Sequence, residues 1–370
     1  MTSEVHIASA QLQLPDAAAF TRWFAAHLED EEVQVLHTEP PGSVHLQLDQ
    51  VGSLELRLTG GSRIACELQA VNGRMAQLMQ LSLGEHLQQF AEQLCIPAAQ
   101  WCIAWESDRD SGSAGDSPSL NVWRVLSNQV LTPHMRRLRL QAQAQKGFED
   151  LAPDGLHVRL LLPTPGAMPQ WPLIDADGRL LWPHGAPRLP RRSYTIRARD
   201  PQTRAIDIDV LLHAREGGEP LAPGARWGMT AAAGDEVGVL SPSGGRVPQA
   251  DRLILLADAC GLPAVARILE DAQPGRQAYA WCWVDSPQEC RALPAQLQRH
   301  VTWFCAGRPG ASEEGIAAVL AWLQQQDWSQ PQGTLLWAAG GQAMAVAIRQ
   351  WVRGHAPAAS VRRLVSSYWR

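Results

Sequence analysis

Apolar and polar positions predict a small α+β region at the start of the chain. Residues His6 to Leu14 alternate as a half-buried strand does, and Asp16 precedes an amphipathic helix. A second helix is expected from about Arg74 to Leu94. Three strand-like runs lie between the helices: Val44 to Leu48, Leu54 to Leu58 and Ile64 to Leu68. No recognisable site stands out in this region.

A polar run of small and charged residues, Glu106 to Ser119, has nothing to bury and indicates a linker. Beyond it, β-type runs follow one another between turns rich in proline and glycine. Their spacing is typical of an antiparallel β-barrel. These runs are Val122 to Val125, Arg136 to Leu140, His157 to Leu162, Tyr194 to Arg199, Ile206 to Leu212 and Glu236 to Leu240.

From Arg252 onward, apolar strands alternate with helices, which favours a parallel sheet covered on both faces. The strands are Leu253 to Leu256, Ala278 to Val284, Val301 to Cys305 and Leu335 to Ala338, with helices after Pro263, at Ala317 to Gln325 and at Ala343 to Arg353. We therefore predict a multidomain chain. It comprises an α+β domain (1–106), a linker (107–119), an antiparallel barrel (120–249) and a Rossmann-like α/β domain (250–370). A barrel followed by such a domain is the arrangement of ferredoxin reductases.

The composition of the chain argues against several classes of enzyme and of metal site. Lys146 is the only lysine and lies in a polar run, so Schiff-base enzymes and Walker-type kinases are poor candidates. The seven cysteines are scattered without a C-x-x-C pair, and the histidines form no H-E-x-x-H motif, so we expect no protein-bound metal. No signal peptide or membrane span is evident, which favours the cytoplasm.

Charge is divided unevenly along the chain. Residues 1–108 carry 14 acidic residues and 4 arginines, a net charge of −10, whereas residues 109–370 carry 23 acidic and 28 basic residues, a net charge of +5. A basic region suits anionic ligands such as dinucleotides. Two domains with different solvated surfaces explain the division equally well. Nothing indicates nucleic-acid binding.

Candidate chemistry centres on Arg192-Ser193-Tyr194-Thr195. A flavin needs a cation for its pyrophosphate, an aromatic or apolar face for its ring system and a hydrogen-bond partner near N5. On an extended strand Arg192 and Tyr194 share one face, and Ser193 and Thr195 share the other. The strand is therefore able to meet phosphate and ring together, although an exposed edge strand with solvated arginines also fits these four residues.

In its wider context, the chain from Val122 to Arg370 resembles the siderophore-interacting proteins, flavoproteins that reduce ferric siderophores. Residues 1–106 resemble a small uncharacterised domain, chiefly through Glu85 to Ala91 and Trp101. The segments that carry the first resemblance are Leu131 to Arg137, His157 to Pro163, Trp171 to Gly185, Arg192 to Arg197, Asp207 to His213, Gly234 to Val237, Asp258 to Ala264, Trp337 to Gly340 and Tyr368 to Arg370.

This resemblance implies FAD as cofactor and assigns roles to individual residues. Arg192 would bind the pyrophosphate, with Ser193 beside it, while Tyr194 and Thr195 would lie at the flavin ring, nearest the reaction. The resemblance adds four residues around the FAD phosphates: His213, Gly224, Ala225 and Arg226. Backbone amides at a helix N-terminus suit such phosphates. His213 fits equally well as a packed barrel histidine.

Asp258 lies in the turn where the family places the nicotinamide of NADPH or NADH. The chain departs from the family pattern at Ala257 to Gly261 and at Gly341 to Gln342, which leaves the donor open, ferredoxin included. Asp285 would favour NADH by binding a ribose hydroxyl, and Arg308 would favour NADPH by meeting its 2′-phosphate. Ordinary loop charges explain both residues as well. Arg370 is expected to face the anionic ferric complex.

The expected activity is therefore FAD-dependent reduction of a ferric siderophore with release of Fe(II), driven by NAD(P)H. Two alternatives remain open. One is a ferredoxin-linked flavin reductase with another electron acceptor. The other is a siderophore-binding flavoprotein that does not turn over NAD(P)H.

Overall fold

The computed structural model describes residues 5–30, 35–38, 42–48, 51–106, 119–174, 180–212, 222–241, 245–272, 275–291, 301–307, 309–355, 358 and 360–369. The chain divides into two compact units. One comprises Met1–Leu120, Gln170–Arg188 and Leu240–Pro242, and the other comprises Asn121–Pro169, Leu189–Val239 and Ser243–Arg370. Residues 107–118 of the expected linker lie outside the described residues, and the domain boundaries stay predictions.

In the first unit, two helices accompany a six-stranded antiparallel sheet with the order β2-β3-β4-β5-β1-β6. Its elements are β1 (His6–Gln13), α1 (Ala17–Asp30), β2 (Val35–Thr38), β3 (Ser43–Leu48), β4 (Gly52–Gly60), β5 (Arg63–Ala70), α2 (Gly73–Gln93) and β6 (Cys102–Glu106). Phe20 from α1 and Leu87 from α2 are buried in one core with Leu56 of the sheet. The apolar pattern predicted every element except β2 and β6.

The second unit begins with a closed barrel with the strand order β12-β13-β8-β7-β14-β9. All six predicted strands are present, and Trp123, Leu138 and Ile208 are buried inside. The elements of this unit are β7 (Ser119–Thr132), β8 (Met135–Ala142), α3 (Gln145–Glu149), β9 (His157–Leu161), β12 (Arg191–Asp200), β13 (Ala205–Leu211), α4 (Pro223–Thr230) and β14 (Glu236–Ser241). Two short strands between β9 and β12 in sequence, β10 (Leu173–Ile174) and β11 (Leu180–Leu181), pair with each other and belong to the first unit.

A five-stranded parallel sheet follows, with the order β17-β16-β15-β18-β19. Its elements are β15 (Arg252–Asp258), α5 (Leu262–Glu270), β16 (Gln277–Val284), β17 (Val301–Cys305), α6 (Glu313–Gln324), β18 (Thr334–Gly341), α7 (Gln342–Gly354) and β19 (Arg362–Trp369). Since chain order reverses between β15 and β18, a ligand crevice is expected at their carboxyl ends. These observations confirm the predicted fold class. No described helix has both the length and the apolar character that crossing a membrane requires.

One buried arginine joins the parallel sheet to the barrel within the second unit. Arg267 of α5 is only 6% exposed. Its guanidinium donates hydrogen bonds to the carbonyl oxygens of Gly155 (2.7 Å), Ile196 (2.5 Å) and Pro153 (3.3 Å). Because buried carbonyl groups need donors, Arg267 satisfies three backbone groups of the barrel at once.

A second buried charge cluster surrounds Asp209 of β13. Arg137 donates to both carboxylate oxygens, at 2.7 and 3.0 Å, and Arg291 donates to one of them. Burial works to raise the pKa of Asp209, but the two arginines outweigh it and hold that pKa below the ordinary value of 3.8. The carboxylate therefore stays charged in the folded protein to a lower pH than in the unfolded chain.

Replacing Asp209 with asparagine should destabilise the fold by about 3–5 kcal/mol at neutral pH, because two arginines lose their buried counter-charge. A lowered folded-state pKa stabilises the protein above pH 3.8, and that contribution is lost as pH falls through the folded pKa. Urea unfolding of both proteins at pH 7 and below pH 3.8 should show the difference between them narrowing in acid. The exposed variant Asp154→Asn serves as control, and a difference that is independent of pH would contradict the prediction.

Candidate functional site

Strand β12 presents Arg192 and Tyr194 on one side, as its alternation predicts. A Cβ atom at Gly224 of α4 would lie 2.5 Å from the Tyr194 hydroxyl and 3.8 Å from Cγ of Arg192. Ser193 is exposed, and Thr195 is buried. Arg192 and Tyr194 therefore meet the first turn of α4, whereas their two neighbours do not take part in that contact.

The first turn of α4, which we call the anion-binding turn, has backbone features that favour an anion. Pro223 occupies the first helical position, and the amide groups of Gly224 and Ala225 follow it. Amides in a first helical turn have no partner within their own helix and carry the positive end of its dipole. Arg192 adds an exposed guanidinium, which donates to the backbone carbonyl of Arg191 at 2.7 Å. Arg226, also exposed, lies on the same helix.

Aromatic surface lies directly beside this anion-binding turn. The ring centroids of Tyr194 and Trp227 are 6.4 Å apart, and Trp227 is almost fully buried. Burial raises the pKa of the Tyr194 phenol far above its ordinary value, although Arg192 opposes the shift. Tyr194 is thus a neutral hydrogen-bonding group whose ring is held in place. Cation, amides and aromatic ring together fit the pyrophosphate and ring system of a flavin.

Asp258 is the last residue of β15 and lies where the crevice is expected. Its carboxylate accepts hydrogen bonds from the backbone amides of Cys260 (2.8 Å), Gly261 (3.3 Å) and Gly341 (2.8 Å), and from the indole of Trp369 (2.7 Å). Each oxygen receives two donors. Asp258 therefore shapes the turn through its neighbours, and its predicted direct contact with a cofactor stays a prediction.

The thiol in this turn is not a nucleophile. Burial raises the pKa of Cys260 well above its ordinary value, and the charge of Asp258 adds to that effect. Only the thiolate form attacks or binds metals readily. Cys260 is consequently a packing residue, as its small-residue setting suggests.

A continuous set of contacts links β12 to the turn that Asp258 shapes at the end of β15. Thr195 pairs with His157 across β12 and β9. His157 Nε2 lies 2.6 Å from the hydroxyl of Tyr368, and the next residue, Trp369, donates to Asp258. Sequence reasoning missed His157, Tyr368 and Trp369 as site residues, although all three lie in segments that carry the family resemblance.

Three of the predicted residues, His213, Arg308 and Arg370, lie outside the described residues. A fourth, Asp285, approaches the barrel: its Oδ2 is 3.0 Å from Nδ1 of His134. That contact gives no support to a ribose-binding role for Asp285.

Two family models match the chain beyond residue 123. A siderophore-interacting FAD-binding domain matches residues 124–246, and a siderophore-interacting protein model matches residues 250–370. The chain belongs to the siderophore-interacting protein family. The first match covers β12 and α4, which carry the anion-binding turn, and it supports FAD as the cofactor.

Individual relatives agree with the family assignment. Ferric vibriobactin reductase ViuB of Vibrio cholerae is 25% identical over 245 residues, covering 65% of this chain and 86% of that protein. A siderophore utilization protein from T. fusca is 29% identical with a TM-score of 0.55, covering 68% and 93% of the two chains. The siderophore-interacting protein SipS from Aeromonas hydrophila, 24% identical with a TM-score of 0.52 over 68% and 91%, shares the fold. Together these likenesses support an oxidoreductase.

Proposed function

We propose that this protein is an FAD-dependent reductase that releases iron from ferric siderophores in the cytoplasm, with NADPH or NADH as electron donor. The observation that carries the proposal is the meeting of Arg192, Tyr194 and the first turn of α4 in a barrel of the siderophore-interacting family. When bound, FAD would take a hydride from the nucleotide and pass electrons singly to Fe(III). Fe(II) binds hard oxygen ligands more weakly and is released.

In the proposed reaction, the residues of the chain bind and orient the cofactor and the ferric complex. Arg192 and the amides of Gly224 and Ala225 would hold the pyrophosphate, since a guanidinium and a helix N-terminus both favour anions. Tyr194 and Thr195 would lie at the flavin ring, and Thr195 pairs with His157 across β12 and β9. Arg226 and His213 would line the phosphate side, and Ser193 would contact the cofactor from the other face of β12. Arg370 would meet the anionic ferric complex.

The donor is expected at the carboxyl ends of β15 and β18, in the turn that Asp258 shapes. The contacts from Thr195 through His157 to Tyr368, and from the adjacent Trp369 to Asp258, connect this turn to β12. A nucleotide bound in the turn would therefore lie near β12, the strand that carries Arg192 to Thr195. With Asp285 directed to His134, the choice between NADPH and NADH depends on measurement.

An anaerobic spectroscopic titration tests the proposal. The full chain is supplied with FAD, separated from free flavin and titrated with NADH or NADPH, then with a ferric tris-catecholate complex and a ferrous chelator. We expect the flavin band to bleach with the nucleotide, to return with the ferric complex, and chelated Fe(II) to accumulate. A chain that takes up no FAD would refute the proposal. Bleaching by dithionite alone would favour ferredoxin as donor or siderophore binding without turnover.

The variant Arg192→Gln sharpens this experiment. Loss of a charge-assisted contact to phosphate should weaken FAD binding by at least about tenfold. Arg276→Gln is the matched control, because Arg276 is half-buried and its guanidinium donates to the side chain of Gln249. Unchanged FAD affinity in Arg192→Gln would remove Arg192 from the pyrophosphate site without deciding the activity.

A further inference from the structure

Three potential metal ligands meet outside the flavin and nucleotide sites. His134 lies in the turn between β7 and β8, Asp285 follows β16, and Glu289 lies four residues later. His134 Nδ1 is 3.0 Å from Oδ2 of Asp285 and 3.4 Å from Oε1 of Glu289. One ligand atom from each residue lies within 4.8 Å of the other two. The barrel and the parallel sheet both contribute to the cluster.

Glu289 is a buried carboxylate. Its side chain is 5% exposed. Oε2 accepts the hydroxyl of Thr132, and Oε1 accepts the backbone amide of His134 at 2.9 Å. Among the described residues, no arginine or lysine forms an ion pair with it. Two carboxylates thus share one imidazole, and the charge of one of them, Glu289, is buried. Burying such a charge is costly unless a cation is present.

The distances between the three ligand atoms also fit a bound metal ion. With metal–ligand bonds of about 2.1 Å, two ligand atoms lie roughly 3.0 Å apart at a right angle and about 3.4 Å apart at a tetrahedral angle. The two distances from His134 Nδ1, 3.0 and 3.4 Å, match these values. His134 and Asp285 are both exposed, which leaves one side open to water ligands. Imidazole and carboxylate ligands suit Mn²⁺, Fe²⁺ and Zn²⁺.

We propose that His134, Asp285 and Glu289 form a binding site for a divalent transition-metal ion at the junction of the barrel and the parallel sheet. One imidazole nitrogen and one oxygen from each carboxylate would bind the ion, and water would complete its coordination. Thr132 and the His134 amide would orient Glu289 from behind, as outer hydrogen bonds do in metal sites. The ion would be separate from the ferric substrate of the proposed reaction.

A nearby thiol pair decides which metal to use as the probe. Sγ of Cys290, the residue after Glu289, is 3.6 Å from Sγ of Cys305. Soft thiolate ligands select Zn²⁺, so zinc binding alone would not distinguish the two places. Mn²⁺ prefers oxygen and nitrogen ligands. It also reports its own binding, because the strong electron paramagnetic resonance signal of the free aqueous ion is lost when the ion is immobilised.

The test titrates Mn²⁺ into the full chain, freed of metals with EDTA and then of EDTA, and follows the free-ion signal. We expect one Mn²⁺ per chain. His134→Ala and Asp285→Asn should each weaken binding by more than about tenfold. Asp285 is exposed, so its variant should keep the fold, which circular dichroism checks. Cys290→Ser and Asp327→Asn, the second an exposed carboxylate elsewhere, should bind as the parent does. Absence of bound Mn²⁺, or full binding in both ligand variants, would overturn the proposal.

Discussion

Replacing Gly224 with alanine should weaken FAD binding by at least about tenfold, or ~1.4 kcal/mol, while the chain remains folded. The new Cβ would lie 2.5 Å from the Tyr194 hydroxyl, closer than real Cβ contacts allow. Either Tyr194 or the first turn of α4 must move, and these are the two groups expected to hold the flavin. Measuring FAD affinity by quenching of flavin fluorescence gives the size of the effect.

A second substitution distinguishes this clash from other causes. In the double variant Gly224→Ala with Tyr194→Phe, the hydroxyl is absent and the next contact of the Cβ is the Tyr194 Cζ position at 3.7 Å, an ordinary distance. The double variant should therefore bind FAD as tightly as Tyr194→Phe alone. Gly354→Ala is the control, because a Cβ there meets nothing within 4 Å. If the double variant binds no better than Gly224→Ala, the clash is not the cause.

Replacing Arg267 with methionine should lower the free energy of unfolding by about 3–5 kcal/mol. Methionine fills a similar volume but leaves the carbonyl oxygens of Gly155, Ile196 and Pro153 without their donor. Each buried acceptor left unpaired costs about 1–3 kcal/mol. Because these carbonyls belong to the barrel, the junction between α5 and the barrel should open first.

Urea unfolding followed by tryptophan fluorescence and circular dichroism measures this effect. The first transition of Arg267→Met should move to lower urea concentration by at least about 1 M. Arg276→Met is the matched control: its guanidinium donates an exposed hydrogen bond to the side chain of Gln249, and the change should cost less than about 0.5 kcal/mol. A midpoint for Arg267→Met equal to that of the control would show that the three hydrogen bonds contribute little.

Most of the fold was predictable because its buried strands are strongly apolar. Residues 253–257 of β15 are buried on both faces, and the continuous apolar run predicts a central parallel strand. Strand β19, Arg362–Trp369, was missed because it lies at the sheet edge, half of its side chains are Arg or Ser, and only Val365 is fully buried. The short strand β6 was missed for a related reason: only Ile103 among its five residues is fully buried.

The site was predictable where its residues are neighbours in sequence. Arg192 and Tyr194 are two apart on one strand, so alternation alone places them on one face. Residues that contact each other in the fold but are far apart in sequence show no such pattern. His157 and Tyr368 are separated by 211 residues, and His134 and Asp285 by 151. The expectation of no protein-bound metal rested on local motifs and did not consider ligands brought together from two parts of the fold.

The position of β19 has a consequence for the order in which the protein matures during synthesis. The ribosome adds Tyr368, the partner of His157, 211 residues after His157. It adds Trp369, which donates to Asp258, 111 residues after Asp258. The barrel is complete only when its last strand, β14, ends at Ser241, and at roughly 5–20 residues per second the 127 residues from there to Tyr368 take about 6–25 s. Over that interval a nascent chain would have its anion-binding turn but not a completed crevice. Flavin capture would then come before the donor side is assembled.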